Sequence, residues 1–148
     1  MQNVFGVPAA VACVKGSGDA ACLKGTVRFY QRHNGVLVEA SVSGLPENKP
    51  GGIFALHIHE GDSCKGQGFP DTGGHYNPTG MPHPRHAGDL PPLLACNGCA
   101  YLAVLTNRFC LKDVIGRTVV IHGNADDFTT QPAGNAGSKI ACGVICWA

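Results

Sequence analysis

Charge is scarce in this chain. Charged side chains make up only 14% of 148 residues, well below the ~25% usual in soluble domains. Eleven basic residues nearly cancel ten acidic ones, leaving a formal net charge of +1, and no run of like charge is longer than Asp126-Asp127. The basic patch that nucleic acid or an anionic membrane surface demands is therefore missing, and neither is expected as a partner. Long apolar runs are missing too: none approaches the ~20 residues of a bilayer-spanning helix. The apolar stretch near the N-terminus is broken by Pro8, and its first basic residue, Lys15, follows the run instead of preceding it. No signal peptide is read there, which makes a cytoplasmic location the expectation and leaves an extracytoplasmic one open. Eight cysteines fall short of the ~8% composition that marks a disulfide-dense secreted scaffold. Helical periodicity is absent as well, which argues against a bundle.

What the chain has in quantity is glycine and proline, 21 and 10 residues, between segments that alternate with a period of two. Such alternation marks strands with one buried face. Strands are expected at Ala9–Lys15, Thr26–Arg32, Val36–Ser43, Ile53–His59, Pro92–Cys96, Cys99–Leu105, Thr118–His122 and Lys139–Trp147. Asn34-Gly35 and Asn97-Gly98 each stand between two of them, the dipeptide preferred in type I′ hairpin turns. These features predict one all-β domain over residues 1–148, an eight-stranded antiparallel Greek-key β-barrel or sandwich. Two connections, Glu60–Asp89 and Gly123–Ser138, are too long for turns, which predicts functional loops.

Six of the seven histidines gather around those loops. In His57-Ile58-His59 the period of two sends both imidazoles to one face while Leu56 and Ile58 point to the other. His122 follows the same rule on a later strand. His57, His59 and His122 with one loop histidine make a four-nitrogen set suited to tetragonal copper(II). His75, His83, His86 and Asp89 make a three-nitrogen, one-oxygen set suited to tetrahedral zinc. A metallo-β-lactamase-like pattern fails because Gly61 occupies the position its aspartate needs.

The stretches HIHEGDSC (His57 to Cys64), GGHYNP (Gly73 to Pro78), HAGDLP (His86 to Pro91), IGRTVVIHGNADD (Ile115 to Asp127) and GNAGSKIACGVI (Gly134 to Ile145) closely resemble copper-zinc superoxide dismutases. The resemblance implies the Greek-key barrel already suggested by the alternation. It also implies copper on His57, His59, His75 and His122, zinc on His75, His83, His86 and Asp89, and His75 bridging the two metals. Asp126 matches the carboxylate that orients one histidine of each set; an aspartate that merely forms a turn is the bland alternative. The family's disulfide falls on Cys64 and Cys142, closing a loop of about 79 residues, worth ~4 kcal/mol in the chain-entropy account. Its activity is the disproportionation of superoxide to oxygen and hydrogen peroxide, with His75 carrying a proton. Homodimers and a copper-delivery protein are the partners that the resemblance brings with it. A non-catalytic barrel storing zinc or copper is the alternative, which needs only the loop set and leaves His57, His59 and His122 unexplained.

The chain also departs from the family. Only Pro84-Arg85 separates His83 from His86, and Gly123–Ser138 is trimmed, so a more open copper site is expected. Lys139 stands where the family has an arginine beside the copper channel, keeping the charge but losing the planar fork. It is expected to guide superoxide. Cys96-Asn97-Gly98-Cys99 brackets a turn and reads as two ordinary thiols. Pairing among Cys13, Cys22, Cys96, Cys99, Cys110 and Cys146 stays open, with burial as small apolar residues the simplest expectation. The single tryptophan, Trp147, is assigned to the core or to an interface, and His33 to the surface.

Overall fold

A computed structural model describes residues 4–148. The fold is all-β, with strands β1 (Ala10–Gly16), β2 (Lys24–Arg32), β3 (Gly35–Ser43), β4 (Ile53–Phe54), β5 (Leu56–His59), β6 (Leu93–Leu94), β7 (Ala100–Thr106), β8 (Thr118–His122) and β9 (Lys139–Trp147). Seven of them form one curled antiparallel sheet in the order β5-β8-β9-β1-β2-β3-β7, and β4 pairs with β6. The β6–β7 hairpin and the continuity of β4 with β5 join the small sheet to both ends of the large one. One α-helical turn, Leu111–Val114, and short 3-10 turns at Gly18–Ala20, Pro50–Gly52 and Pro70–Thr72 are elements that no sequence pattern announced.

Alternation fills the interior as expected. Ala10, Ala12 and Val14 of β1, Val27 and Phe29 of β2, Val36 through Val42 of β3 at every second position, Leu56 and Ile58 of β5, and Val119 and Ile121 of β8 form one core. The opposite face of β8–β9 carries a small separate cluster of Phe69, Val120 and Cys142. There the first long loop lies on the outside of the sheet.

Four expectations need correction. The strand foreseen at Ile53–His59 is interrupted at Ala55, where backbone pairing passes from β6 to β8: Ala55 donates to the Asn124 carbonyl and accepts from the His122 amide. The first hairpin turns one residue early. Arg32 pairs with Gly35, so His33 and Asn34 are the turn residues, and neither has the positive φ of a type I′ turn. Gly35 instead takes φ 148°, with the Thr106 carbonyl so close that a Cβ would collide with it. The six remaining cysteines are all exposed and unbonded, because each sits on the outer face of a strand or in a connection. Trp147 is outside the core as well, 59% exposed at the end of β9.

Candidate metal centre

β5 is an edge strand of the large sheet, and its free edge is taken by the first long loop. Ile58 donates its amide to the Gly88 carbonyl and accepts from the Tyr76 amide, and His57 and His59 stand opposite Asp89 and His75. Backbone hydrogen bonds thus set two loop side chains beside two strand side chains before any metal is considered. His122 comes from neighbouring β8, at an irregularity in its pairing with β9.

Two four-residue groups of buried donor atoms result, beside a smaller third group of His57, His83 and Asp126 that shares a member with each. His57, His59, His75 and His122 form one, and His75, His83, His86 and Asp89 the other, each with its ligand atoms within 4.8 Å of one another. Despite the short loops, the most exposed of these residues are His75 and Asp89, at 8%.

The outward nitrogens are already engaged, which fixes the inward ones as lone pairs. His59 Nδ1 donates to the Gly73 carbonyl at 2.9 Å and His122 Nδ1 to the Gly137 carbonyl at 3.3 Å. Their Nε2 atoms face each other at 3.1 Å. Asp126 accepts from His57 Nε2 on one carboxylate oxygen at 2.8 Å and from His83 Nε2 on the other at 2.7 Å. That leaves His57 Nδ1, His83 Nδ1 and His75 Nε2 buried without a hydrogen-bond partner, a costly state for polar atoms. His83 Nδ1 lies 3.0 Å from Asp89 Oδ2, close but not hydrogen-bonded, as two donors to one ion would be. His75 points Nε2 at the first group, while its Nδ1 sits 2.8 Å from Asp89 Oδ1 and 3.2 Å from His86 Nδ1 in the second. The residues present therefore fit two metal ions with one shared imidazole.

The electrostatics agree with neutral, metal-ready rings. Burial, reinforced by neighbouring imidazoles, lowers His59 to about 2 and His122 to about 3, and burial also lowers His57 and His86. For Asp126 burial acts upward, but the hydrogen bonds from His57, His83 and the Phe128 amide outweigh it and keep the carboxylate well below its ordinary range. Asp89 is held below its ordinary value in the same way, its burial outweighed by the hydrogen bond from His75 and the surrounding imidazoles.

Several contributors had no sequence signal. The Gln131 side-chain amide donates to the His83 carbonyl at 2.7 Å and accepts from the His83 amide at 2.8 Å, tying the second long loop to the first. Arg108 donates to the Pro84 carbonyl at 2.7 Å, across the two-residue span between His83 and His86. Gly134 has φ 67°, and a Cβ there would strike both Asp126 and His83. Lys139 does not project free into solvent: its ammonium donates to Thr72 Oγ1 at 2.7 Å and to the Gly73 carbonyl at 3.0 Å, the same carbonyl that orients His59. Burial lowers its pKa. Cys64 and Cys142 are bonded, fastening the first loop to β9.

The family described as copper/zinc superoxide dismutase (SODC) matches residues 23–145. Superoxide dismutase [Cu-Zn] 2 of Aquifex aeolicus is 38% identical over 136 residues, covering 82% of this chain and 78% of the relative. Superoxide dismutase [Cu-Zn] A of Xenopus laevis is 37% identical, with 92% and 95% covered. Superoxide dismutase [Cu-Zn] 4 of Dictyostelium discoideum is 34% identical, with 92% and 96% covered.

Proposed function

The chain belongs to the copper/zinc superoxide dismutase family, and on that premise we propose that His57, His59, His75 and His122 hold copper while His75, His83, His86 and Asp89 hold zinc. The protein is a superoxide dismutase: two superoxide anions and two protons become dioxygen and hydrogen peroxide. The observation that carries the ligand division is His75, whose two nitrogens face different donor groups, Nδ1 against Asp89 and His86 and Nε2 unpartnered. When bound, copper supplies one-electron redox chemistry and zinc supplies a fixed positive charge beside the shared ring.

The chain's own residues do the rest. His75 takes up a proton at Nε2 and returns it to the reduced substrate, its ring kept in place from the Nδ1 side. Asp126 holds His57 and His83 with their Nδ1 lone pairs inward, and the Gly73 and Gly137 carbonyls do the same for the Nε2 atoms of His59 and His122. Lys139 offers the incoming anion a positive charge near His59, from a position fixed by Thr72 and Gly73. The same reading includes a homodimer, supported by the exposed apolar side chains of Val4, Val7 and Trp147. It also includes a copper-delivery partner, supported by ligands buried under two loops that must open to admit an ion.

Metal analysis combined with a dismutation assay tests the reading. One copper and one zinc per chain together with activity are expected. A protein that takes up zinc alone and does not dismute superoxide would be a storage or structural barrel instead.

A further inference from the structure

Cys96 and Cys99 flank the Asn97-Gly98 turn between β6 and β7. Each donates its amide to the other's carbonyl, at 2.8 and 3.0 Å, so they form a hydrogen-bonded antiparallel pair. Asn97 and Gly98 both have positive φ, 50° and 71°, the two-residue geometry that places the flanking side chains on one face. Both thiols are exposed and unbonded, and both line the same surface groove, alongside Thr26, Ser41 and Tyr101.

The spacing of such a pair decides what it can do. Hydrogen-bonded partners are the wider kind, with Cα atoms ~5.5 Å apart and Cβ atoms ~4.5–5.5 Å apart. A disulfide needs Cβ atoms ~3.8 Å apart. Two metal–thiolate bonds of ~2.3 Å place sulfurs up to ~4.6 Å apart, a separation that these Cβ positions allow without moving the backbone.

Coordination number then narrows the ion. Cys13, the third thiol on the groove, is in register with Thr26, Ser41 and Tyr101 across β1, β2, β3 and β7, three strand spacings and hence ~14 Å from Tyr101. Among the described residues no group of three donor atoms includes Cys96 or Cys99. Zinc, which takes four ligands in structural sites, is not served by two. Soft thiolates select Cu(I). We propose that Cys96 and Cys99 form a surface dithiol site for one Cu(I) ion, separate from the histidine centre. Binding forms two S–Cu bonds, breaks two S–H bonds and releases two protons to solvent, with no change of oxidation state.

The test is an anaerobic Cu(I) titration of the copper- and zinc-loaded protein against a competing Cu(I) chelator, with thiols counted before and after. The wild-type protein and Cys13→Ser are expected to take up one equivalent and mask two thiols. Cys96→Ser and Cys99→Ser should each lose that equivalent with melting temperature and dismutase rate unchanged, and Zn(II) should not compete for it. The proposal is overturned if the wild-type protein binds no additional Cu(I), if the double variant still binds it, or if peptide mapping of freshly purified, unreduced protein finds Cys96 and Cys99 already joined. Because the comparison is between cysteine variants, a failure of the histidine assignment would leave its outcome intact.

Discussion

At the scale of single residues, His75 is the side chain that belongs to both donor groups, so on the proposed assignment both metals depend on it. Its replacement by alanine should lower copper and zinc content together, whereas His57→Ala should lower chiefly copper and Asp89→Ala chiefly zinc. Metal content of the purified variants checks this, and full occupancy of either site in His75→Ala would refute the shared ring. Gln131 acts one step further out. Truncating it leaves the amide and carbonyl of His83 without their side-chain partners, at ~1–3 kcal/mol for a buried pair and less at this exposed position. Gln131→Ala should therefore release zinc several-fold more readily to a chelator while leaving copper content intact, and an unchanged zinc affinity would make the contact incidental. That the site histidines and Asp89 gather in two donor groups was legible in the sequence, because strand alternation sends His57, His59 and His122 to one face and the remaining members cluster in one long loop. Gln131 and Arg108 were not, since they grip backbone atoms of a loop whose path no periodicity reveals.

At the scale of elements, the attachments of the first long loop include the backbone pairing with Ile58 of β5, the packing of Phe69 against Val120, the hydrogen bonds from Lys139, Arg108 and Gln131, and the disulfide to β9. Cutting the disulfide frees a loop spanning a sequence separation of 78, so reduction should cost a few kcal/mol, ~4 in the chain-entropy account, and more than any other single thiol change. Calorimetry of reduced and oxidised protein measures it; a melting temperature insensitive to reduction would mean that the non-covalent attachments suffice. Strand positions were legible to within a few residues because apolar alternation and core burial are the same fact seen twice. Turn geometry was less so. The same dipeptide is a type I′ turn at Asn97-Gly98, but at Asn34-Gly35 the Arg32–Gly35 pairing and the approach of the Thr106 carbonyl move the turn to His33-Asn34. Tertiary contact overrode local preference there, and the interruption at Ala55 has the same origin.

Over the whole molecule, a net charge of +1 gives superoxide no global attraction, so capture must rest on local field. Lys139→Glu should lower kcat/KM at least tenfold, about 1.4 kcal/mol, and reverse its decline with ionic strength; an unaltered rate at full copper loading would remove Lys139 from the capture step. The buried histidines also set the pH response of the metal-free protein. His59 and His122 are lowered to about 2 and about 3 in the fold, against ~6.5 when unfolded. Between these values the unfolded chain binds more protons, so stability is fully present above ~6.5 and is lost as pH falls. The melting temperature of metal-free protein should drop between pH 7 and pH 5, and a flat profile would contradict the burial of these rings. β9 lies inside the sheet, between β8 and β1, although it is the last strand along the chain. During vectorial synthesis β1 and β8 each keep an open edge until residues 139–147 emerge, and Cys64 meets its proper partner only then. Maturation is thus gated by the arrival of one segment: the same ladder that completes the sheet aligns Cys142 for oxidation and seats His122 beside the other imidazoles, so neither can be finished on a nascent chain that stops short of it.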